Sequence, residues 1–220
     1  ITDNSRRILA ELPDGVLLVA AAKGRSAREV LAAAEGGVAC IGHNYVQEAA
    51  RQRSRVDLPL SWHLIGHLQR NKAAPAVELF DVIETIDSMR LALELDRRCA
   101  ALGRCLPVLI EVNSARETGK SGAMPQDALD LAAGVATLGN LRLTGVMTLG
   151  PAGGRDAEIR ESFRITRALC ERVRELPGMQ DRRVELSMGM SDSYRMAVEE
   201  GATMVRIGTA LFGPRLPASG

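Results

Sequence analysis

Short apolar runs alternate with amphipathic segments along the chain. Each run is rich in Val, Ile and Leu, and each is followed by a stretch whose apolar residues fall on one helical face. The runs predict eight strands, at residues 16–22, 38–42, 62–66, 82–86, 107–113, 141–149, 184–188 and 204–207. The intervening segments predict crossover helices, for example at 27–35, 88–102, 126–138 and 157–176.

This alternation predicts an α/β fold with a parallel sheet, because a parallel connection has to cross back over the sheet. Eight units favour closure into a single (β/α)8 TIM barrel, and nearly continuous apolar strands suit a sheet that is covered on both faces. An open doubly wound sheet is the alternative. Residues 4–12 predict one extra N-terminal helix, and residues 1–220 are predicted to form one domain without a second β domain.

The composition of the chain excludes several classes of protein. The 220 residues carry a net charge of +1, which gives no broad surface for nucleic acid or an anionic membrane. No apolar run approaches the roughly 20 residues of a membrane span, and the first residues lack a signal-peptide pattern, so we expect a cytoplasmic protein. The four cysteines, Cys40, Cys99, Cys105 and Cys170, have no CxxC spacing and predict reduced, mostly buried thiols.

Lys23 is the first candidate for chemistry, because it directly follows an apolar strand whose last residues are small. Sites in barrels of this kind are built where strands end. Two interpretations stay open. Lys23 is either an ordinary solvated or ion-paired side chain, or a partly desolvated amine that forms a Schiff base.

The loops after the seventh and eighth predicted strands suggest a phosphate site. Gly189 and Gly208 would let backbone N–H groups approach an anion, and Ser191 and Thr209 would add hydroxyl groups and cap the following helices. The alternative is that both hydroxyl residues are plain caps and both glycines only turn the chain.

The three histidines, His43, His63 and His67, raise the question of a metal site near the second and third strands. Their spacing fits no helical ligand pair, and His63 falls at the start of its strand, away from the rim. We therefore expect no metal.

Six motifs in the same order resemble those of the pyridoxal phosphate (PLP) homeostasis proteins, the YggS/PROSC family. They are VAAAK at 19–23, IGHNYVQE at 41–48, HLIGHLQRNK at 63–72, ETGKSG at 117–122, LSMGMSD at 186–192 and VRIGTALFG at 205–213. The resemblance implies a PLP-binding barrel of fold type III, like the N-terminal domain of alanine racemase. It also implies a cofactor site made of Lys23 as the Schiff-base lysine, Asn44 against the cofactor, Ser191, Gly208 and Thr209 around the phosphate, and Arg206 near the pyridine nitrogen or the phosphate.

Two positions depart from the family pattern. His43 stands where the family commonly has Glu, and residues 22–26 replace a stretch similar to Ser-Lys-Thr-Lys-Pro. The cofactor lysine itself is retained.

The resemblance implies a protein of vitamin B6 homeostasis that stores PLP or hands it to apoenzymes, with little or no turnover. Arg206 beside the pyridine nitrogen would favour its unprotonated form and weaken carbanion stabilisation. The alternative is a PLP-dependent racemase or lyase of the alanine racemase type, with Lys23 as one base. Its second base would need a tyrosine linked with a second domain, which we do not expect here; Tyr45 and Tyr194 are expected to be packing or helix-start residues. A monomer is expected.

Overall fold

The computed structural model describes residues 1–214 and shows eight parallel strands closed into a barrel in sequential order. The strands are β1 (Leu17–Ala21), β2 (Cys40–His43), β3 (Ser61–Leu64), β4 (Val82–Ile86), β5 (Leu106–Glu111), β6 (Leu141–Met147), β7 (Glu185–Ser187) and β8 (Met204–Ile207). The predicted TIM barrel is confirmed, and the open doubly wound sheet is wrong. Residues 215–220, the end of the predicted domain, lie outside the described residues.

Helices surround the barrel in the described part of the chain. They are α1 (Thr2–Glu11), α2 (Ala27–Glu35), α3 (Val46–Arg53), α4 (Ala73–Leu79), α5 (Met89–Ala101), α6 (Ala128–Ala136), α7 (Asp156–Arg174), α8 (Tyr194–Glu199) and α9 (Thr209–Phe212), with a 3-10 turn at Arg70–Lys72. The predicted extra N-terminal helix is α1. It is tied to α9 by the Asn4 side-chain amide, which donates to the Leu211 carbonyl at 3.1 Å. None of the helices within 1–214 combines the length and apolar character that a bilayer crossing demands.

The strands alternate between two environments, which explains their composition. Residues that face outward, such as Leu18, Ile41 and Val108, are buried under the helices in the main apolar core. Residues that face inward form a smaller apolar group of Val19, Cys40, Ile65 and Met204 near the middle of the barrel. Strands with both faces covered are mostly apolar, and this is the pattern in the sequence.

Two cavities open on opposite ends of the barrel interior. We call the end where the strands finish the C-terminal mouth and the end where they begin the N-terminal mouth. Between them lie five polar residues that are at most 2% exposed. They are His63, Glu84, Glu111, Ser187 and Arg206.

Candidate functional site

The C-terminal mouth holds a cavity of about 330 Å³. Its wall includes all six residues that the sequence nominated as cofactor ligands, and these come from the ends of β1, β2 and β8 and from the loop after β7. They are Lys23, Asn44, Ser191, Arg206, Gly208 and Thr209. A volume of this size lies in the range of small-molecule sites, roughly 300–1,000 Å³.

Lys23 lies two residues beyond the end of β1, in a tight turn. The turn is fixed by backbone hydrogen bonds from Ala22 to Gly42 and from Arg25 to Ala22. The ammonium nitrogen of Lys23 lies 5.2 Å from the centre of the Tyr45 ring. Within residues 1–214 no carboxylate lies within 4.0 Å of this nitrogen, so the half-buried amine is directed at the cavity without an acidic partner.

Asn44 follows β2 and is held in place by close packing against β3. A side chain at Gly66 would bring its Cβ within 2.5 Å of the Asn44 carbonyl oxygen, so only glycine permits this approach. The backbone N–H of Ile65 donates to the His43 carbonyl at 2.9 Å and fixes the same pair of strand ends.

Ser191 joins the loop after β7 to the start of α9 at one side of the cavity. Its hydroxyl oxygen accepts hydrogen bonds from the backbone N–H groups of Gly208 at 3.3 Å and Ala210 at 3.1 Å. The expectation that Ser191 caps the helix after β7 is wrong, because it caps α9 across the loop. Ser193 occupies the cap position of α8, and Thr209 is the exposed first residue of α9 with Gly208 before it.

Gly189 has a purely structural reason to be glycine. Its φ is +91°, and a Cβ there would lie 2.5 Å from the Cβ of Ala197 on α8. It does not line the cavity. That Gly189 lets backbone N–H groups approach an anion stays a prediction, while its positive φ shows that this glycine turns the chain.

Arg206 reaches the cavity from β8 and is 2% exposed. Its guanidinium donates to the Ser187 hydroxyl at 2.6 Å and to the Thr148 carbonyl at 2.6 Å. Ser187 in turn donates to Glu84 at 2.6 Å, and the other oxygen of Glu84 lies 2.7 Å from Nδ1 of His63. A continuous buried chain therefore crosses the barrel interior from the cavity wall toward the opposite mouth.

The charges of this chain stabilise one another. Burial opposes the charged form of His63, but hydrogen bonds with Cys40 and Glu84 and the negative charge of Glu84 raise its pKa to about 9. Burial likewise acts to raise the pKa of Glu84, yet its contacts with His63 and the charge of Arg206 lower it. At neutral pH this hydrogen-bonded chain therefore contains two cations, His63 and Arg206, around the carboxylate of Glu84.

Glu111 is a second buried acid, at the end of β5. Burial and the nearby charge of Asp87 raise its pKa to about 7, while Arg206 acts in the opposite direction. One of its carboxylate oxygens has no hydrogen-bond partner among the described residues. Neither Glu84 nor Glu111 is among the predicted site residues, although an acid inside an otherwise apolar strand is a signal of a buried polar site.

The two tyrosines have different roles. Tyr194 is 4% exposed and its hydroxyl bonds to Glu11 on α1, so it is a packing residue outside the cavity. Tyr45 occupies the cap position of α3, as expected of a helix-start residue, but its exposed ring also lies beside Lys23.

The three histidines point to three separate environments. His43 faces α3, where its ring bonds to Gln52 at 2.6 Å and stacks on Trp62. His63 lies inside the barrel, and exposed His67 is 3.2 Å from Asp87. No group of His, Cys, Asp or Glu in residues 1–214 is arranged to hold a metal ion. The position where the family commonly has Glu thus lies outside the cavity.

Comparison with known proteins relates this geometry to a family. The family model of the alanine racemase N-terminal domain matches residues 1–216. The pyridoxal phosphate homeostasis protein of Pseudomonas aeruginosa is 41% identical over 205 residues, 92% of this chain and 86% of that protein.

Solved structures give the same relationship. PipY of Synechococcus elongatus, with PLP bound, has a TM-score of 0.87 and 34% identity, covering 96% of this chain and 99% of that one. Alanine racemase of Clostridium difficile in complex with cycloserine has a TM-score of 0.82 with 14% identity, covering 99% of this chain and 59% of the racemase chain. The racemase is similar in fold alone.

Proposed function

The chain belongs to the family of alanine racemase N-terminal domains and, within it, to the pyridoxal phosphate homeostasis proteins, and we propose that it binds PLP as a Schiff base on Lys23. In this function the protein takes part in intracellular vitamin B6 homeostasis by holding PLP and releasing it. The observation that carries the proposal is a single cavity in which the Lys23 amine, with no carboxylate within 4.0 Å among residues 1–214, lies together with Ser191, Gly208 and Thr209, whose donors suit an anion.

The residues present fit both the aldehyde and the phosphate of PLP. The Lys23 amine would add to the aldehyde carbon, and loss of one water molecule would leave a carbon–nitrogen double bond. Addition of water reverses the step and returns the free aldehyde. The hydroxyls of Ser191 and Thr209 suit the phosphate. The N–H groups of Gly208 and Ala210, which donate to Ser191 in this structure, would turn to the phosphate oxygens, because backbone donors at a helix start bind anions well.

Arg206 is the main reason for proposing storage with little or no turnover. PLP supplies an electron sink when bound, and this sink is strongest when an acidic side chain keeps the pyridine nitrogen protonated. The guanidinium of Arg206 is a fixed donor, held by Ser187 and the Thr148 carbonyl. A permanent donor beside the ring nitrogen would favour its unprotonated form.

A racemase or lyase activity is the alternative. The position of Tyr45 beside Lys23 suggests which residue would act as its second acid or base. We expect purified protein to exchange the α-hydrogen of amino acids in deuterated water no faster than free PLP does. Exchange that requires both Lys23 and the Tyr45 hydroxyl, tested with Tyr45→Phe, would establish the enzyme instead.

Delivery of PLP to apoenzymes in the cytoplasm, by a monomer, completes the proposal. The exposed side chains of Leu149 and Met190 line the cavity, and the exposed ring of Tyr45 lies beside Lys23, so these apolar groups suit brief contact with an acceptor. The four cysteines are unpaired and three of them are buried, as in proteins of reducing compartments.

Absorbance titration tests the binding proposal. Wild-type protein should turn yellow with stoichiometric PLP, and Lys23→Ala should lose this visible band while keeping its melting temperature, because Lys23 lies in a surface turn outside the core. Lys72→Ala and Lys120→Ala are matched controls that should keep the band. An unchanged band in Lys23→Ala would refute the assignment.

A further inference from the structure

The N-terminal mouth contains a second cavity, of about 650 Å³, roughly twice the volume of the first. It is bounded by residues at the beginnings of all eight strands, from Leu17 on β1 to Met204 on β8. None of its lining residues is shared with the cavity at the C-terminal mouth. It is therefore a separate space that the proposed PLP site does not use.

The rim of this second cavity is strongly positive. Three arginines line it, Arg142, Arg182 and Arg183, against one carboxylate, Glu185. Glu185 is already paired with Arg183 at 3.0 Å and accepts a hydrogen bond from Thr203 at 2.6 Å. In the part of the chain that the structure describes, Arg142 and Arg182 have no carboxylate within 4.0 Å.

Arg142 and Arg182 are not placed at this mouth to neutralise the carboxyl ends of helices. The carboxyl ends of helices carry partial negative charge, and basic side chains often bond to their last carbonyls. Arg104 has this role, because it donates to the carbonyls of Val77 and Phe80 at the end of α4. Arg142 and Arg182 donate to no carbonyl of residues 1–214.

The inner wall of the cavity adds a buried cation. The His63 side chain is 3% exposed, and its Nε2 lies 3.1 Å from the hydroxyl of Ser61, which also lines the cavity. Its Nδ1 bonds to Glu84, which leads through Ser187 to Arg206 at the other mouth. An anion bound near His63 would compete with Glu84 for its charge and so change the support of Arg206.

We propose that the N-terminal mouth binds a small phosphate-bearing anion through Arg142 and Arg182, with the Ser61 hydroxyl and His63 behind it on the inner wall, and that the hydrogen-bonded chain through Glu84 and Ser187 couples this site to the cavity of Lys23. Guanidinium groups match the geometry of phosphate oxygens, and the cavity has room for a small organic phosphate. The site itself is independent of the proposed function, whereas the coupling rests on PLP binding at Lys23.

Calorimetric titration at constant ionic strength tests the site, with inorganic phosphate and glycerol 3-phosphate as probes. The protein would carry PLP fixed by borohydride and be dialysed, so that the first cavity is filled and excess PLP is removed. The double variant Arg142→Gln/Arg182→Gln should lose at least tenfold in affinity. Arg90→Gln, an exposed arginine on the first turn of α5, is the control and should bind like wild type.

Absence of binding by wild-type protein, or binding by the double variant within twofold of wild type, would overturn the site. The same titration on Lys23→Ala protein without PLP should keep the arginine-dependent component, so failure of PLP binding would not be confused with failure of this site. Phosphate should also change the fluorescence of the fixed pyridoxyl group in wild type and not in Ser187→Ala. If bound phosphate leaves the pyridoxyl fluorescence of the wild-type protein unchanged, the coupling is overturned.

Discussion

The two mouths of the barrel present positive charge in different ways. At the C-terminal mouth, short backbone and hydroxyl groups around Ser191 and Gly208 offer donors at fixed positions, with one buried arginine behind them. At the N-terminal mouth the donors are on long, exposed side chains such as Arg142 and Arg182. The first arrangement suits one ligand of fixed shape, and the second suits a wider set of anions.

This difference follows from the polarity of the fold. Strand ends at the C-terminal mouth lead into helix starts, where free N–H groups supply partial positive charge. Strand beginnings at the other mouth receive helix ends, whose carbonyls supply partial negative charge, so an anion site there has to use side chains. The buried chain from His63 to Arg206 is the physical connection between the two.

The largest effect is expected from breaking that connection. Glu84→Gln would leave His63 and Arg206 without their buried counter-charge, and we expect a loss of about 3–5 kcal/mol in the free energy of unfolding at pH 7. Urea unfolding measures it. Glu185→Gln removes a partly exposed acid from the rim and should cost at most about 1 kcal/mol. Equal costs for the two variants would refute the distinction between buried chain and rim.

A somewhat smaller and pH-dependent effect is expected at Glu111. Its pKa is raised from 4.5 to about 7, so the folded protein holds this proton more tightly than the unfolded chain. Stability from this group is therefore present below about pH 4.5 and is lost as pH rises through 7, a cost of roughly 3 kcal/mol at pH 8. Glu111→Gln should therefore raise the free energy of unfolding by about the same amount at pH 8 and change it little at pH 4.

Urea unfolding of Glu111→Gln at both pH values checks the sign. The control is Glu117→Gln, because Lys120 lowers the pKa of the partly exposed Glu117, so that replacing this acid should give no gain in stability at pH 8. A Glu111 variant that is no more stable than wild type at pH 8 would contradict the raised pKa.

The smallest effects are expected at the phosphate end of the C-terminal mouth. Ser191→Ala and Thr209→Val should each weaken PLP retention by about 1–3 kcal/mol if their hydroxyls make charge-assisted hydrogen bonds. Equilibrium dialysis gives the affinities. Ser193→Ala, in the same loop but at the cap position of α8, should leave retention unchanged. Unchanged affinity in both cavity variants would remove the phosphate assignment.

The barrel could be predicted from the sequence because buried strands and amphipathic helices produce patterns among neighbouring residues. Apolar runs and helical periodicity are read within about ten residues, and the predicted strands overlap all eight observed ones. The six candidate ligands also meet at one cavity, because strand ends share one mouth in a closed parallel barrel.

What the sequence did not predict depends on contacts that exist only after closure. Ser187 and Glu84 are 103 residues apart, and nothing local indicates that one donates to the other. Ser191 resembles a cap for the next helix, yet it caps the helix after β8, because the two loops meet in space. Tyr45 is beside Lys23 for the same reason.

The identity of the lysine that holds PLP decides whether the C-terminal mouth is built around Lys23. Borohydride would reduce the carbon–nitrogen double bond in PLP-loaded protein, and mass spectrometry of its peptides would locate the fixed pyridoxyl group. We expect one modified peptide, containing Lys23, with no adduct in Lys23→Ala. An adduct on Lys72 or Lys120 in its place would contradict the claim that the C-terminal mouth is built around Lys23.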